Sequence, residues 1–422
     1  MIKILILGGG FGGIRAALDL DKKLKKEAEI TLIDRNGYHL FVPALYEVAS
    51  AYGIKKDPFA VQLRRTICMP YADIFSAKGG PASGGNRINF IQAEISEINL
   101  AHKMVKIGGD RIAEYDYLVV ALGSEVADYN IPGVRDYAHQ FKTLDDALFI
   151  NQKLEELSEQ FLKGERIEPF SFLICGGGFT GIELAAELGC CTKVIKEKCK
   201  LRGRCSSITL FEAGPRILPA ISEKERRHIK ERLTKLGIIL MENSPIEEAG
   251  PDFIKLKTGQ KLHGDLIIWT AGIQSNQLLC NTSGLPLTLS GKIATDDTLQ
   301  VKNLKNIFAI GDNLEFTDLK SQKPVPAFAY VAVDQGKIVA QNIYNSIKNK
   351  KLKSYKPFSD VWIIPIGGKF ALAHLWGGLL IKGFWGWVIR ELVDIKYLLS
   401  IFSLNKALEV FFNEITIFSK ND

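Results

Sequence analysis

A strand, a glycine-rich turn, a helix and a second strand ending in a carboxylate occur twice in this chain, and that repeat limits the folds open to it. In the first copy Ile4-Leu5-Ile6-Leu7 leads into Gly8-Gly9-Gly10-Phe11-Gly12-Gly13. Residues 14 to 24 then read as a helix, and Ile30-Thr31-Leu32-Ile33 ends at Asp34. In the second copy Phe172-Leu173-Ile174-Cys175 leads into Gly176-Gly177-Gly178-Phe179-Thr180-Gly181, and Ile208-Thr209-Leu210-Phe211 ends at Glu212. Both glycine runs satisfy G-x-G-x-x-G between a strand and a helix, the context in which the pattern marks a dinucleotide site. Two such halves predict an α/β chain with two Rossmann-like dinucleotide-binding domains.

The residue types follow from what a pyrophosphate needs. Gly8 and Gly176 allow the tight turn, Gly10 and Gly178 let backbone N–H groups approach the phosphates, and Gly13 and Gly181 let the helix lie close to its strand. Asp34 and Glu212 stand where a carboxylate accepts a ribose hydroxyl, with Phe11, Arg35 and Thr180 beside them. A carboxylate at Glu212 repels a 2′-phosphate, so the second site is read as taking NADH over NADPH, with Arg216 working against that preference. Each half closes alike: Asp116 to Leu122 is an apolar strand through Ala121 to Gly123, and Asp265 to Thr270 runs on to Ala271 and Gly272. A third apolar strand, Asn306 to Ile310, stops at Gly311-Asp312, and a helix is expected from about Ala329 to Ser346. That turn resembles the one many flavoproteins place against the ribityl chain and pyrophosphate of FAD, which sends this segment back to the first unit. The expected division is 1–145 and 286–355 for FAD, 146–285 for NADH, and 356–422 as a C-terminal region.

Length and composition agree with several folded units, since 422 residues exceed one ordinary core and 46% are hydrophobic. The chain opens directly on strand residues, which reads as cytosolic or cytosol-facing. Seven cysteines at irregular spacing do not form a disulfide framework, and Cys190, Cys191, Cys199 and Cys205 lack paired C-x-x-C spacing, so no metal site is expected. The net charge of +7 is spread over lysine patches and reads as solvated surface that also suits an anionic leaflet, with no nucleic-acid footprint. Lys78 to Asn86 reads as an exposed loop. From Phe384 onward apolar residues recur at three- and four-residue steps in two stretches, predicting two amphipathic helices. Their face can pack on the core, on a second subunit in a homodimer, or on a membrane; Phe384, Trp385 and Trp387 crowd one end as interfacial anchors do.

Gly8 to Gly13, Ile33 to Phe41, Gly178 to Glu183, Glu212 to Leu218 and Ala309 to Asp312 together resemble the type II NADH dehydrogenases, single-subunit NADH:quinone oxidoreductases. The resemblance covers nearly the whole chain. It implies a ping-pong cycle in which NADH gives hydride to FAD and a membrane quinone takes two electrons and two protons without proton pumping. It further implies that Glu183 tunes hydride transfer or proton delivery, and that the tail, with Gly383-Phe384 and Trp387, docks peripherally on the cytoplasmic face of the inner (plasma) membrane. The quinone pocket departs from the family pattern. Where members carry A-Q-x-x-x-Q-Q, this chain has Tyr330 and Asp334 and keeps only Gln335, and Asp360-Val361 replaces a Lys-Gly pair. Sulfide:quinone oxidoreductases, ferredoxin or rubredoxin reductases and a non-catalytic NADH-sensing flavoprotein are the alternatives. The first need redox-active cysteines near the flavin, and Glu212 with an intact second fingerprint favours NADH instead; disulfide reductases carry a C-x4-C pair, and no Cys lies between Tyr38 and Glu47.

Overall fold

The computed structural model describes residues 1–51, 64–77, 88–198, 205–358 and 360–418. The expected loop Lys78 to Asn86 and Cys199 lie outside the described residues. The helices that build the site and its surroundings are α1 (Phe11–Leu24), α2 (Leu45–Ser50), α3 (Leu144–Leu162), α4 (Phe179–Lys198), α5 (Glu223–Lys235), α6 (Ala329–Ile347), α7 (Phe384–Ile401) and α8 (Leu404–Phe418).

Two five-stranded parallel sheets carry the repeat. The first runs in the order Ile307–Ala309, Tyr117–Val120, Ile2–Leu7, Ala28–Asp34, Ile88–Gln92. Near-continuous burial of Ile4 to Leu7 and Leu118 to Val120 reflects strands covered on both faces, as parallel sheets require. The strand Ile307–Ala309 joins this sheet beside Tyr117–Val120, so the last strand before the Gly311 turn ends next to Ala121. The second sheet runs His139–Gln140, Leu266–Trp269, Phe170–Cys175, Ser206–Phe211, Ile239–Met241.

Helices α1 and α6 approach closely because both are glycine-bearing at the crossing. A Cβ at Gly336 would lie 2.5 Å from the carbonyl oxygen of Gly12. Beyond α6 comes an antiparallel three-stranded sheet, Trp362–Pro365, Ala371–Leu375 and Leu379–Gly383, which the sequence reading did not anticipate. It packs on α7, and the turn after its first strand meets α5, where Arg232 donates to the carbonyls of Ile366 and Gly367 at 3.0 and 2.8 Å.

Helices α7 and α8 stand where apolar periodicity put them, but α7 is turned with its charges inward. Arg390, Glu391 and Asp394 are buried, while Phe384, Trp385, Leu392, Val393 and Leu399 are exposed. No helix among the described residues is long and apolar enough to cross a membrane.

Candidate functional site

The two glycine turns are built the same way. Gly8 and Gly176 take φ values of +101° and +124°, and a Cβ on either would strike the backbone of Ala121 or Ala271. Gly13 and Gly181 press against the carbonyl oxygens of Gly8 and Gly176. A Cβ on Gly10 or Gly178 would meet nothing within 4 Å, so each turn leaves open space in front of the first N–H groups of α1 or α4. That combination suits a pyrophosphate, which needs backbone donors at a helix N-terminus and no side chain in the way.

The second-strand carboxylates brace these turns. Asp34 accepts the N–H of Gly9 at 2.7 Å and of Asn36 at 2.8 Å; Glu212 accepts those of Gly177 at 3.0 Å and Gly214 at 2.7 Å. Each carboxylate oxygen retains a second lone pair for a ribose hydroxyl. Burial raises the Asp34 carboxyl above its ordinary value, opposed by the two N–H groups. Arg35 and Thr180 are exposed at the rims, Gly123 and Gly272 turn with φ of +72° and +123°, and Phe11 packs among aromatic rings.

At the Gly311 turn, sequence reasoning named Gln335 only for the quinone pocket and missed Asn313, Ser124 and Lys142. The Gly311 N–H donates to Oε1 of Gln335 at 2.7 Å, and buried Asn313 donates to the carbonyl of Ile310 at 2.7 Å. Asp312 accepts from Ser124 at 2.8 Å, and Ser124 from Lys142 at 2.7 Å. Burial lowers the Lys142 ammonium from its ordinary value, with Asp312 opposing the shift. His39 was also missed. It is buried, and burial pushes it down to about 4. Its Nδ1 donates to the Gly9 carbonyl at 3.2 Å, because a carbonyl only accepts; Nε2 therefore accepts from the Tyr397 hydroxyl at 2.8 Å. One neutral imidazole thus links α7 to the first glycine turn.

Around the start of α6 the rings of Phe179, Phe328 and Trp362 form a wall, Phe179 lying 5.3 Å from Phe328 and 5.8 Å from Trp362. Tyr330 adjoins Phe328 at 5.8 Å, but its hydroxyl donates to the Val361 carbonyl at 3.1 Å, so its one proton is engaged. Asp334 pairs with Lys337 at 3.5 Å. A small pocket is lined by Lys292, Gly311, Asp312, Phe328, Val331 and Gln335. Glu183, on α4 four residues beyond Phe179, is half-buried, and desolvation pushes it up to about 8 against the pull of Arg390 and with Glu47 adding to the rise.

The sequence pattern of the pyridine nucleotide-disulphide oxidoreductase family matches residues 2–336. A type II NADH:quinone oxidoreductase of Haemophilus influenzae is 32% identical over 89% of this chain and 87% of its own length. The chain belongs to the type II NADH:quinone oxidoreductases. A further member, from Staphylococcus aureus, is 28% identical over 89% of this chain and 90% of its own. Among solved structures, NDH2 of Plasmodium falciparum in complex with NADH superposes with a TM-score of 0.83 at 21% identity, covering 98% of this chain and 97% of that one. The sulfide:quinone oxidoreductase of Aquifex aeolicus reaches 0.75 at 20% identity, over 99% and 93%. At these identities the superpositions speak for the fold, which this type II enzyme shares with both.

Proposed function

We infer that the chain is an FAD-dependent NADH:quinone oxidoreductase. The observation that carries this reading is the pair of matched glycine turns, each open at its central glycine and each braced by a second-strand carboxylate, within a chain of this family. The residues present fit both dinucleotides. Gly10, the α1 N-terminus, Asp34, Ser124 and Asp312 would hold FAD, whose bound flavin accepts the hydride and passes two electrons onward. Gly178, the α4 N-terminus and Glu212 would hold NADH, the charge of Glu212 acting against a 2′-phosphate.

The balance is NADH + H⁺ + quinone giving NAD⁺ and quinol. Glu183, raised to about 8, is a neutral acid at pH 7 and has a proton to give. Tyr330, Asp334 and Gln335 are proposed to border the quinone. Tyr330 contributes a ring face in that reading, because its hydroxyl proton is already committed. The outward apolar faces of α7 and α8 are proposed to rest on the cytoplasmic surface of a membrane, where a lipid-dissolved quinone is reached.

Stopped-flow measurement with the FAD-loaded protein tests the reading in two steps. NADH is expected to bleach the flavin faster than NADPH, and a short-chain quinone to restore the colour. Bleaching that ferricyanide reverses but no quinone does would remove the quinone from the reaction.

A further inference from the structure

Among the described residues three carboxyl groups touch one guanidinium, and a fourth carboxyl is buried under the influence of the same charges. Nη1 of Arg390 on α7 lies 2.7 Å from Glu47 of α2 and 2.8 Å from Glu391, and its Nε lies 3.3 Å from Asp394. All four are buried. The fourth carboxyl, Glu414 of α8, is 2% exposed, and neither of its oxygens has a hydrogen-bond partner among the described residues. Among the described residues, the charged and titratable groups acting on this cluster are Tyr46 and Glu47 from α2, Glu183 and Glu187 from α4, and Arg390, Glu391 and Asp394 from α7.

The one positive charge among the described residues of this cluster cannot hold four negative ones in a low-dielectric interior, because protonating a buried carboxylate costs less than leaving it charged and unpaired. Desolvation first, then Asp394 and Glu47, push the Glu414 carboxyl well above its ordinary range; desolvation pushes Asp394 up to about 7 against Arg390. The cluster therefore keeps protons at neutral pH, shared among coupled groups. The cluster is joined to the site by packing, since α2, which carries Glu47, lies against α4, which carries Glu183, and the charges of Arg390 and Glu47 act on Glu183.

Resting on the NADH:quinone reading, we propose that Glu414, Asp394 and Glu47, gathered round Arg390, form a proton store that refills Glu183. Hydride brings two electrons and one proton from NADH; the second proton of the quinol comes from water by way of this cluster. Only O–H bonds form and break along it. Its members act through Glu183 and are positioning residues.

Infrared spectra of the FAD-loaded protein, taken across pH in H₂O and D₂O, read protonated carboxyls through their C=O stretch. The wild type is expected to keep such a band above pH 7, and Glu414→Gln to remove part of it. In Glu414→Gln the rate with a short-chain quinone is expected to fall about tenfold at alkaline pH, a shift of the alkaline limb by about one unit. Glu414→Asp should recover most of that loss, and ferricyanide, which takes electrons without protons, should show no such shift. An unchanged band or an unchanged alkaline limb in Glu414→Gln overturns the store. Should that variant not fold, absence of any protonated-carboxyl band in the wild type above pH 7 overturns it alone. A wild type that reduces ferricyanide but no quinone defeats the underlying reading, while the part of the band lost in Glu414→Gln, over and above what Glu183 itself gives, still decides whether the cluster holds protons.

Discussion

Glycines three residues apart in the same turn have opposite reasons to be glycine. A Cβ at Gly13 collides with the Gly8 carbonyl, whereas one at Gly10 enters empty space. Gly13→Ala should therefore cost the fold of the first unit, since backbone cannot move aside cheaply. Gly10→Val should emerge colourless and melt like wild-type protein stripped of its flavin, and Gly178→Val should stay yellow while NADH no longer bleaches it. Flavin absorbance, thermal melting and stopped flow separate these outcomes; a yellow Gly10→Val protein would place the flavin elsewhere. Glu183 makes a different kind of prediction. Its folded value of about 8 lies above the ordinary 4.5, so between these values the folded state binds more protons than the unfolded one. Its contribution to stability is then full below about 4.5 and declines as pH rises towards 8. Glu183→Gln should flatten the fall in melting temperature over that interval, and should slow quinone reduction at every pH while leaving no further fall above about pH 8. Parallel melting curves for the two proteins would show that the carboxyl is not desolvated as described.

What was readable before the structure was whatever lies close along the chain. Both glycine turns, the acids ending their second strands and the return strand before Gly311 were legible, because each is a contiguous string whose period and glycines dictate local geometry. The supports of those turns were not. His39 meets Tyr397, Lys142 meets Asp312 through Ser124, and Glu47 meets Arg390, each pair spanning long stretches of chain that no local pattern joins. The sheet from Trp362 to Gly383 escaped notice because its short strands are broken by Gly367, Gly368, Gly377 and Gly378. Helix α7 was legible as amphipathic but not in its orientation. Its charged residues look like interruptions of an apolar stripe until Glu47 and Glu414 are seen beside them, and then the same residues form the inner face.

At the scale of the whole molecule, α7 and α8 belong to the core and to the surface at once, which decides how membrane attachment can be tested. Removing them from Phe384 would strip Arg390 from Glu47, Tyr397 from His39 and the Ser400 carbonyl from Arg15, so loss of flavin would follow whether or not a membrane is bound. The informative change leaves the inner face alone. Trp385, Leu392 and Phe412 are 67%, 60% and 60% exposed and lie outside those contacts. Transfer of three such side chains into lipid stabilises attachment by about 1.5 to 3 kcal/mol each, enough that salt alone should not release the protein. Replacing all three with Glu removes that gain and sets negative charge against an anionic leaflet. The triple variant should stay yellow, melt near the wild-type temperature and reduce ferricyanide with NADH, yet remain in the supernatant when anionic vesicles are sedimented. It should also lose activity with a long-tailed quinone carried in those vesicles. Undiminished pelleting would exclude this face as the anchor. A fall in molecular mass by light scattering, with pelleting unchanged, would assign it to a second copy of the chain.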